Sequence, residues 1–263
     1  MQEIADYYDE TPDDGRLRAG WGLLEFERTK ELIFRHLPPA PARILDVGGG
    51  SGVYGEWLSA FGYEVHLIDL APAHIERARR DSPGLASAEV GDARKLDHAA
   101  DSVDVVSLLG PLYHLTERED RLLALREARR VLRPGGWLFA AAICRFAPLL
   151  DSLVNGFVDH PDFEPILDGD LRDGQHRNPT GHSNFFTTAY FHRPEEVAEE
   201  IAEAGFAGTE VVGVEGCGWL VKDFAERWKN GARREKLLAW VRRVEREPSL
   251  LGLSLRLMGS ARK

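Results

Sequence analysis

The sequence predicts an α/β protein: a doubly wound, mostly parallel seven-stranded sheet with an N-terminal aromatic arm and an insert after the fifth strand. Three observations carry this. Short apolar runs alternate with amphipathic stretches through residues 43–143, the pattern of strand–helix–strand units whose helices cover both faces of a parallel sheet. A glycine cluster follows the first run directly. The chain, 263 residues at 43% hydrophobic and 29% charged, is large enough for one sizeable core.

Taken in order, residues 1–36 read as a polar arm bearing Tyr7, Tyr8 and Trp21, followed by a helix in which Leu23 and Leu24 alternate with Glu27, Lys30 and Glu31. Pro38-Pro39-Ala40-Pro41 ends it, since proline neither continues a helix nor donates to a ladder. Residues 43–47 (RILDV) form the first strand, 54–61 a helix and 64–68 (EVHLI) the second strand. Pro72 opens a helix over 73–80, and 86–90 and 103–109 are the third and fourth strands. A capping box, Thr116-x-x-Glu119, opens a helix that stops at Pro134-Gly135-Gly136 before the fifth strand, 137–143. Residues 145–193 are rich in Asp, Gly, Pro, His and Phe without periodicity, which predicts an irregular lid. A helix over 194–204, a strand over 209–214, one long helix over 223–247 and a last strand over 253–258 complete the chain. The expected organisation is therefore 1–36 arm and covering helix, 37–144 core, 145–193 lid, and 194–263 the remainder of the same sheet domain.

Composition narrows the function. A net charge of −10 makes a poor general binder of nucleic acid, because duplex affinity rests on neutralising phosphates. Two cysteines, Cys144 and Cys217, allow no disulfide scaffold and no cysteine-based zinc cluster. Nine histidines lack the close i, i+4 pairing of helical zinc sites, so no metal is expected. The acidic first ten residues hold no apolar run of a secretory signal, and Trp137–Cys144 is too short to span a bilayer. A soluble, cytoplasmic protein is expected.

The informative stretch is Asp46-Val47-Gly48-Gly49-Gly50-Ser51-Gly52, at the end of the first strand and before a helix. Glycines there let the backbone approach a ligand, and the helix N-terminus favours negative charge. A dinucleotide fingerprint, Gly50-x-Gly52-x-x-Gly55, starts too late after its strand to be persuasive. Asp46-x-Gly48-x-Gly50-x-Gly52 instead resembles the first motif of class I S-adenosylmethionine-dependent methyltransferases. Three further stretches match that family in order: Asp69 after the second strand, Gly91-Asp92-Ala93, and Leu132-Arg133-Pro134-Gly135-Gly136. The resemblance implies a Rossmann-like methyltransferase fold and S-adenosylmethionine as cofactor, released as S-adenosylhomocysteine. It implies that Gly48, Gly49, Gly50 and Gly52 lie beside the cofactor's amino-acid portion and that Asp69 accepts both ribose hydroxyls. Asp92 would take the adenine's exocyclic amine and Ala93 would donate its backbone N–H, with Leu70, Leu109 and Gly110 flanking the site. The arm resembles that of bacterial small-molecule methyltransferases, which would bring Tyr8 and Trp21 over the cofactor, with Tyr7, Arg16, Arg18 and Arg28 nearby.

The loop Gly110-Pro111-Leu112-Tyr113-His114 departs from the Asn-Pro-Pro-Tyr type of nucleobase and amide methylators, which points to a small metabolite or natural product with an O, N or C nucleophile. Candidates for a general base are His114, at the carboxyl edge of the sheet, then His182 and His192 from the lid, with Tyr113 and Tyr190 beside them. Phe157, Phe163, Phe185, Phe186, Tyr190 and Phe191 are either an apolar acceptor wall or the lid's own core. Residues 226–263 carry eleven Lys or Arg against four Glu. A helix holding Arg233, Arg234, Lys236, Arg242 and Arg243 leaves RNA or protein docking as an alternative, and an NAD(P)-dependent oxidoreductase is the third. A homodimer is left open.

Overall fold

The computed structural model describes residues 13–182 and 185–263. Seven strands form one sheet: β1 Arg43–Val47, β2 Glu64–Asp69, β3 Ser87–Val90, β4 Val103–Leu108, β5 Leu132–Ile143, β8 Ala207–Gly213 and β9 Arg256–Arg262. Their order is β3-β2-β1-β4-β5-β9-β8. β1 to β5 run parallel and β9 runs antiparallel between β5 and β8. Ile44, Leu45, Val105, Val106, Leu138 and Phe139 are buried, as parallel strands covered on both faces must be. The order reverses between β1 and β4, and the crevice at the carboxyl ends of those strands is where open α/β sheets hold ligands.

Four elements differ from the sequence expectation. Helix Arg118–Val131 has Glu117, not Thr116, at its N-cap and no side-chain cap bond. The Thr116 carbonyl is instead held outside the helix by Arg121 Nη1 at 2.9 Å and Gln175 Nε2 at 3.0 Å. The lid is not irregular: it contains helices Ala147–Asn155 and Glu164–Asp173 and a two-stranded ladder of β6 Gln175–His176 with β7 Ala189–Tyr190. Pro148 and Pro165 sit in the first turns of those helices, where proline is tolerated, so they are not breakers. The expected helix 223–247 is two, Phe224–Lys229 and Gly231–Val244, because Asn230 is extended and its Oδ1 caps Arg233 N at 3.1 Å. The last strand starts at Arg256, since Leu251–Leu253 form a 3-10 turn.

The lid is tied down by buried polar groups. Arg121 grips Glu200 at 2.7 Å beneath the ring of Tyr190, 3.7 Å from its centroid. His176 bridges Asp170 at 2.9 Å and the Phe185 carbonyl at 2.6 Å. Phe163, Ile166, Leu167 and Phe185 form a small core within the lid. Among the described residues no helix is long and apolar enough to cross a membrane.

Candidate functional site

A cavity of about 180 Å³ lies over the switch point. Its floor is the glycine turn. Gly48, Gly50 and Gly52 have φ of 70°, 58° and 89°, a region that only glycine enters without strain. A side chain at Gly48 would also place Cβ 2.5 Å from the Pro111 ring, so the turn after β1 and the loop after β4 touch through bare backbone. Asp46, Gly48, Gly49, Gly50, Asp69 and Leu70 line the cavity. So do Gly91, Asp92, Ala93, Leu109, Gly110, Tyr113 and His114. Gly52 is not part of the lining; it is the left-handed N-cap of helix Val53–Ala60.

Each carboxylate has a distinct state. Asp69 Oδ2 accepts Gly50 N at 2.9 Å, while Oδ1 accepts Ala71 N at 2.9 Å and meets His74 Nδ1 at 3.1 Å. Three of roughly four lone-pair positions are thus taken, and a ligand diol must share them or turn the His74 ring. Asp46 is buried with Oδ1 on Ser107 Oγ at 3.0 Å and Oδ2 without a hydrogen-bond partner among the described residues. Burial pushes its carboxyl up to about 7, with the nearby charge of Asp69 adding to the rise. Asp92 is gripped by Arg94 at 2.6 Å, and that ion pair holds it below the usual carboxylate range.

The base candidates separate. His114 is half-buried on the cavity wall, its Nδ1 3.4 Å from the Thr188 carbonyl and its ring stacked on Phe186. Burial lowers it to about 4, so it is neutral near pH 7. His192 is not brought to the cavity: it is buried against Glu200 at 3.3 Å, and the rigid pairing of its backbone with Ile143 and Arg145 keeps it there. His182 is exposed and stacks on Phe185 at the lid surface, outside either cavity. Tyr190 is engaged by Arg145 at 3.0 Å and Glu196 at 3.2 Å within the lid anchor.

A second cavity adjoins the first and shares Arg16, Glu25 and Arg256 with it. Its volume is about 540 Å³. Phe157, Phe163, Phe185, Phe186 and Phe191 face it, so these rings serve as chamber wall and as packing at once. Trp21 also lines this chamber rather than the crevice over the switch point, because its edge packs on buried Trp219 with centroids 5.3 Å apart. From the arm, Arg16 and Leu17 reach the crevice. Arg28 does not; it is fully buried in ion pairs with Glu31 at 2.6 Å and with Glu245. Tyr7 and Tyr8 lie outside the described residues.

Sequence reasoning missed Arg16's partner Glu25 and the chamber residues Arg256, Glu215, Asp151 and His176. Against burial, which would raise it, Arg256 and Arg16 hold the Glu25 carboxyl below its ordinary value. Burial raises Glu215, and the charge of Glu25 adds to that. Among the described residues no group of three or more His, Cys, Asp or Glu is placed to hold a metal ion.

The crevice fits a nucleoside cofactor with a cationic amino-acid tail: a backbone turn of glycines, a carboxylate at the end of β2, and a buried Asp46 oxygen that has no hydrogen-bond partner among the described residues. Comparison with known proteins agrees. A methyltransferase domain family matches residues 45–140. The malonyl-[acyl-carrier protein] O-methyltransferase of Methylococcus capsulatus is 41% identical over 125 residues, 45% of this chain and 44% of that protein. The chain therefore spans less than half of that relative's length. Methyltransferase GfsG of Streptomyces halstedii is 31% identical over 205 residues, 63% of this chain and 70% of that protein. The PH0226 protein of Pyrococcus horikoshii shares the fold with a TM-score of 0.63 at 18% identity, over 98% of each chain.

Proposed function

The chain belongs to the S-adenosylmethionine-dependent methyltransferases of class I, and from that premise we propose that it methylates an O, N or C nucleophile of a small, largely apolar molecule held in the aromatic chamber. The observation that carries this reading is the shared wall. Arg16, Glu25 and Arg256 border both cavities, so a molecule seated among the phenylalanines lies next to the cofactor crevice. The cofactor, when bound, supplies an electrophilic methyl carbon on a sulfonium. The chain's task is positioning and exclusion of water, which can supply much of such a rate. Asp69 and the Asp92–Ala93 turn would hold the nucleoside, and the Gly48–Gly50 backbone with Asp46 would hold the amino-acid tail. Neutral His114 and Tyr113, on the crevice wall, are the side chains proposed to contact the reacting group.

A cytoplasmic location goes with this reading, Cys144 and Cys217 being free thiols. The test is calorimetric titration with S-adenosylmethionine and S-adenosylhomocysteine, followed by mass spectrometry of reactions with a panel of hydroxylated and amino aromatics and alkyl acids. Saturable cofactor binding and a product heavier by one methylene support the proposal. Absence of cofactor binding defeats it.

A further inference from the structure

The aromatic chamber carries Arg16, Glu25, Glu215, Arg256, Asp151 and His176 among its apolar residues, and one carboxyl oxygen among them has no hydrogen-bond partner among the described residues. Glu215, two residues past β8, is 1% exposed. Its Oε2 accepts Ser254 Oγ at 2.9 Å and Arg256 N at 2.9 Å. Ser254 Oγ in turn accepts the backbone N–H groups of Glu215 at 3.1 Å and Gly216 at 3.0 Å. These bonds fix the carboxylate plane. Oε1 accepts no hydrogen bond among the described residues. The Arg256 guanidinium stands 3.6 Å from it but spends its closer contact, 3.0 Å, on Glu25, which Arg16 also grips.

An oriented, desolvated acceptor atom without a donor is costly, and native proteins leave few of them. The surrounding charges say which donor suits it. Arg16 and Arg256 make their closer contacts with Glu25, and burial raises the Glu215 and Asp151 carboxyls, which disfavours their charged forms, so a neutral donor suits the atom better than a second cation. Of the chamber's other polar groups, His176 is held by Asp170 and the Phe185 carbonyl, and Asp151 accepts Asn155 through Oδ1 at 2.8 Å. On the reading of this chamber as the acceptor site, we propose that Glu215 Oε1 receives a neutral hydroxyl of the methyl acceptor. The acceptor is then a hydroxylated molecule with an apolar or aromatic body, and Glu215 is a specificity-determining residue.

The test uses the full chain saturated with S-adenosylhomocysteine and two probes of nearly equal shape, 2-naphthol and 2-methoxynaphthalene, titrated by calorimetry. Wild-type protein is expected to prefer the naphthol by about fivefold or more, the size of one buried hydrogen bond. In Glu215→Gln the amide oxygen keeps Ser254 and Arg256 N while the NH2 turns into the chamber, so the preference vanishes or reverses. Asp151→Asn keeps it, and Glu215→Gln leaves S-adenosylhomocysteine affinity unchanged. Equal affinities in the wild type, no binding of either probe, or a preference surviving in Glu215→Gln overturns the proposal. Should Glu215→Gln fail to fold, the wild-type pair of probes decides alone. Failure of S-adenosylhomocysteine to bind is a separate result, and it defeats the methyltransferase site itself.

Discussion

Asp69 and Asp46 stand a strand apart and face the same crevice, yet their environments give them different work. Asp69 is held by two backbone N–H groups and His74, so it presents an ordered acceptor to a ligand. Asp69→Ala is expected to weaken S-adenosylhomocysteine binding by about 1.5–3 kcal/mol for each hydrogen bond lost to the charge, read by calorimetry. Unchanged affinity would mean the ribose lies elsewhere. Asp46, raised to about 7, holds its proton in the native chain between roughly pH 4 and 7, whereas the unfolded chain has lost it. That contribution to stability is fully present below about pH 4 and disappears as pH rises through 7. A cation bound beside it favours the ionised form. Binding of S-adenosylmethionine at pH 6.5 should therefore release a proton, seen as an enthalpy that changes with the buffer's ionisation enthalpy. Asp46→Asn should abolish that dependence. The sequence placed both aspartates because each ends a strand beside a glycine or a turn; it could not show that His74, a helix residue, closes on one of them.

At the level of elements, the lid depends on polar anchors more than on its small core. Arg121, Glu200 and His192 are all buried, and removing one partner leaves an uncompensated charge. Glu200→Ala should cost about 3–5 kcal/mol in urea unfolding. A loss below 1 kcal/mol would mean the site relaxes or hydrates. These anchors explain why the lid was read as irregular. Its helices are short, begin with proline in the first turn, and are stabilised by partners on other elements, so periodicity within the segment is weak. The same cause defeated the capping box at Thr116, whose carbonyl answers to Arg121 and Gln175. In the 223–247 stretch, by contrast, Asn230-Gly231 is a local break signal that the apolar spacing overrode.

For the whole molecule, the basic C-terminal region is largely spent on intramolecular pairs. Arg233 meets Asp223, Arg242 meets Glu31 at 2.9 Å, Arg246 meets Glu210 at 2.5 Å and Lys263 meets Asp101 at 2.6 Å. These pairs fasten the C-terminal helices and strand, and with a net charge of −10 around them weak attraction for phosphates is expected. Micromolar protein in low salt should show no RNA binding by mobility shift, and a salt-sensitive shift would refute this.

From the sequence alone came the α/β class, the seven strands and most residues that line the crevice, because each of these rests on short-range features: apolar runs, a glycine turn, a carboxylate just past a strand. Consecutive strand-to-helix turns of a parallel sheet all open at the same edge, so residues read one turn at a time converge without further information. The aromatic chamber obeys no such rule. Glu25 comes from the first helix, Glu215 from beyond β8 and Arg256 from the start of β9, and only the antiparallel insertion of β9 between β5 and β8 brings them together. Charges scattered so far along the chain look like ordinary surface residues until folding buries them side by side.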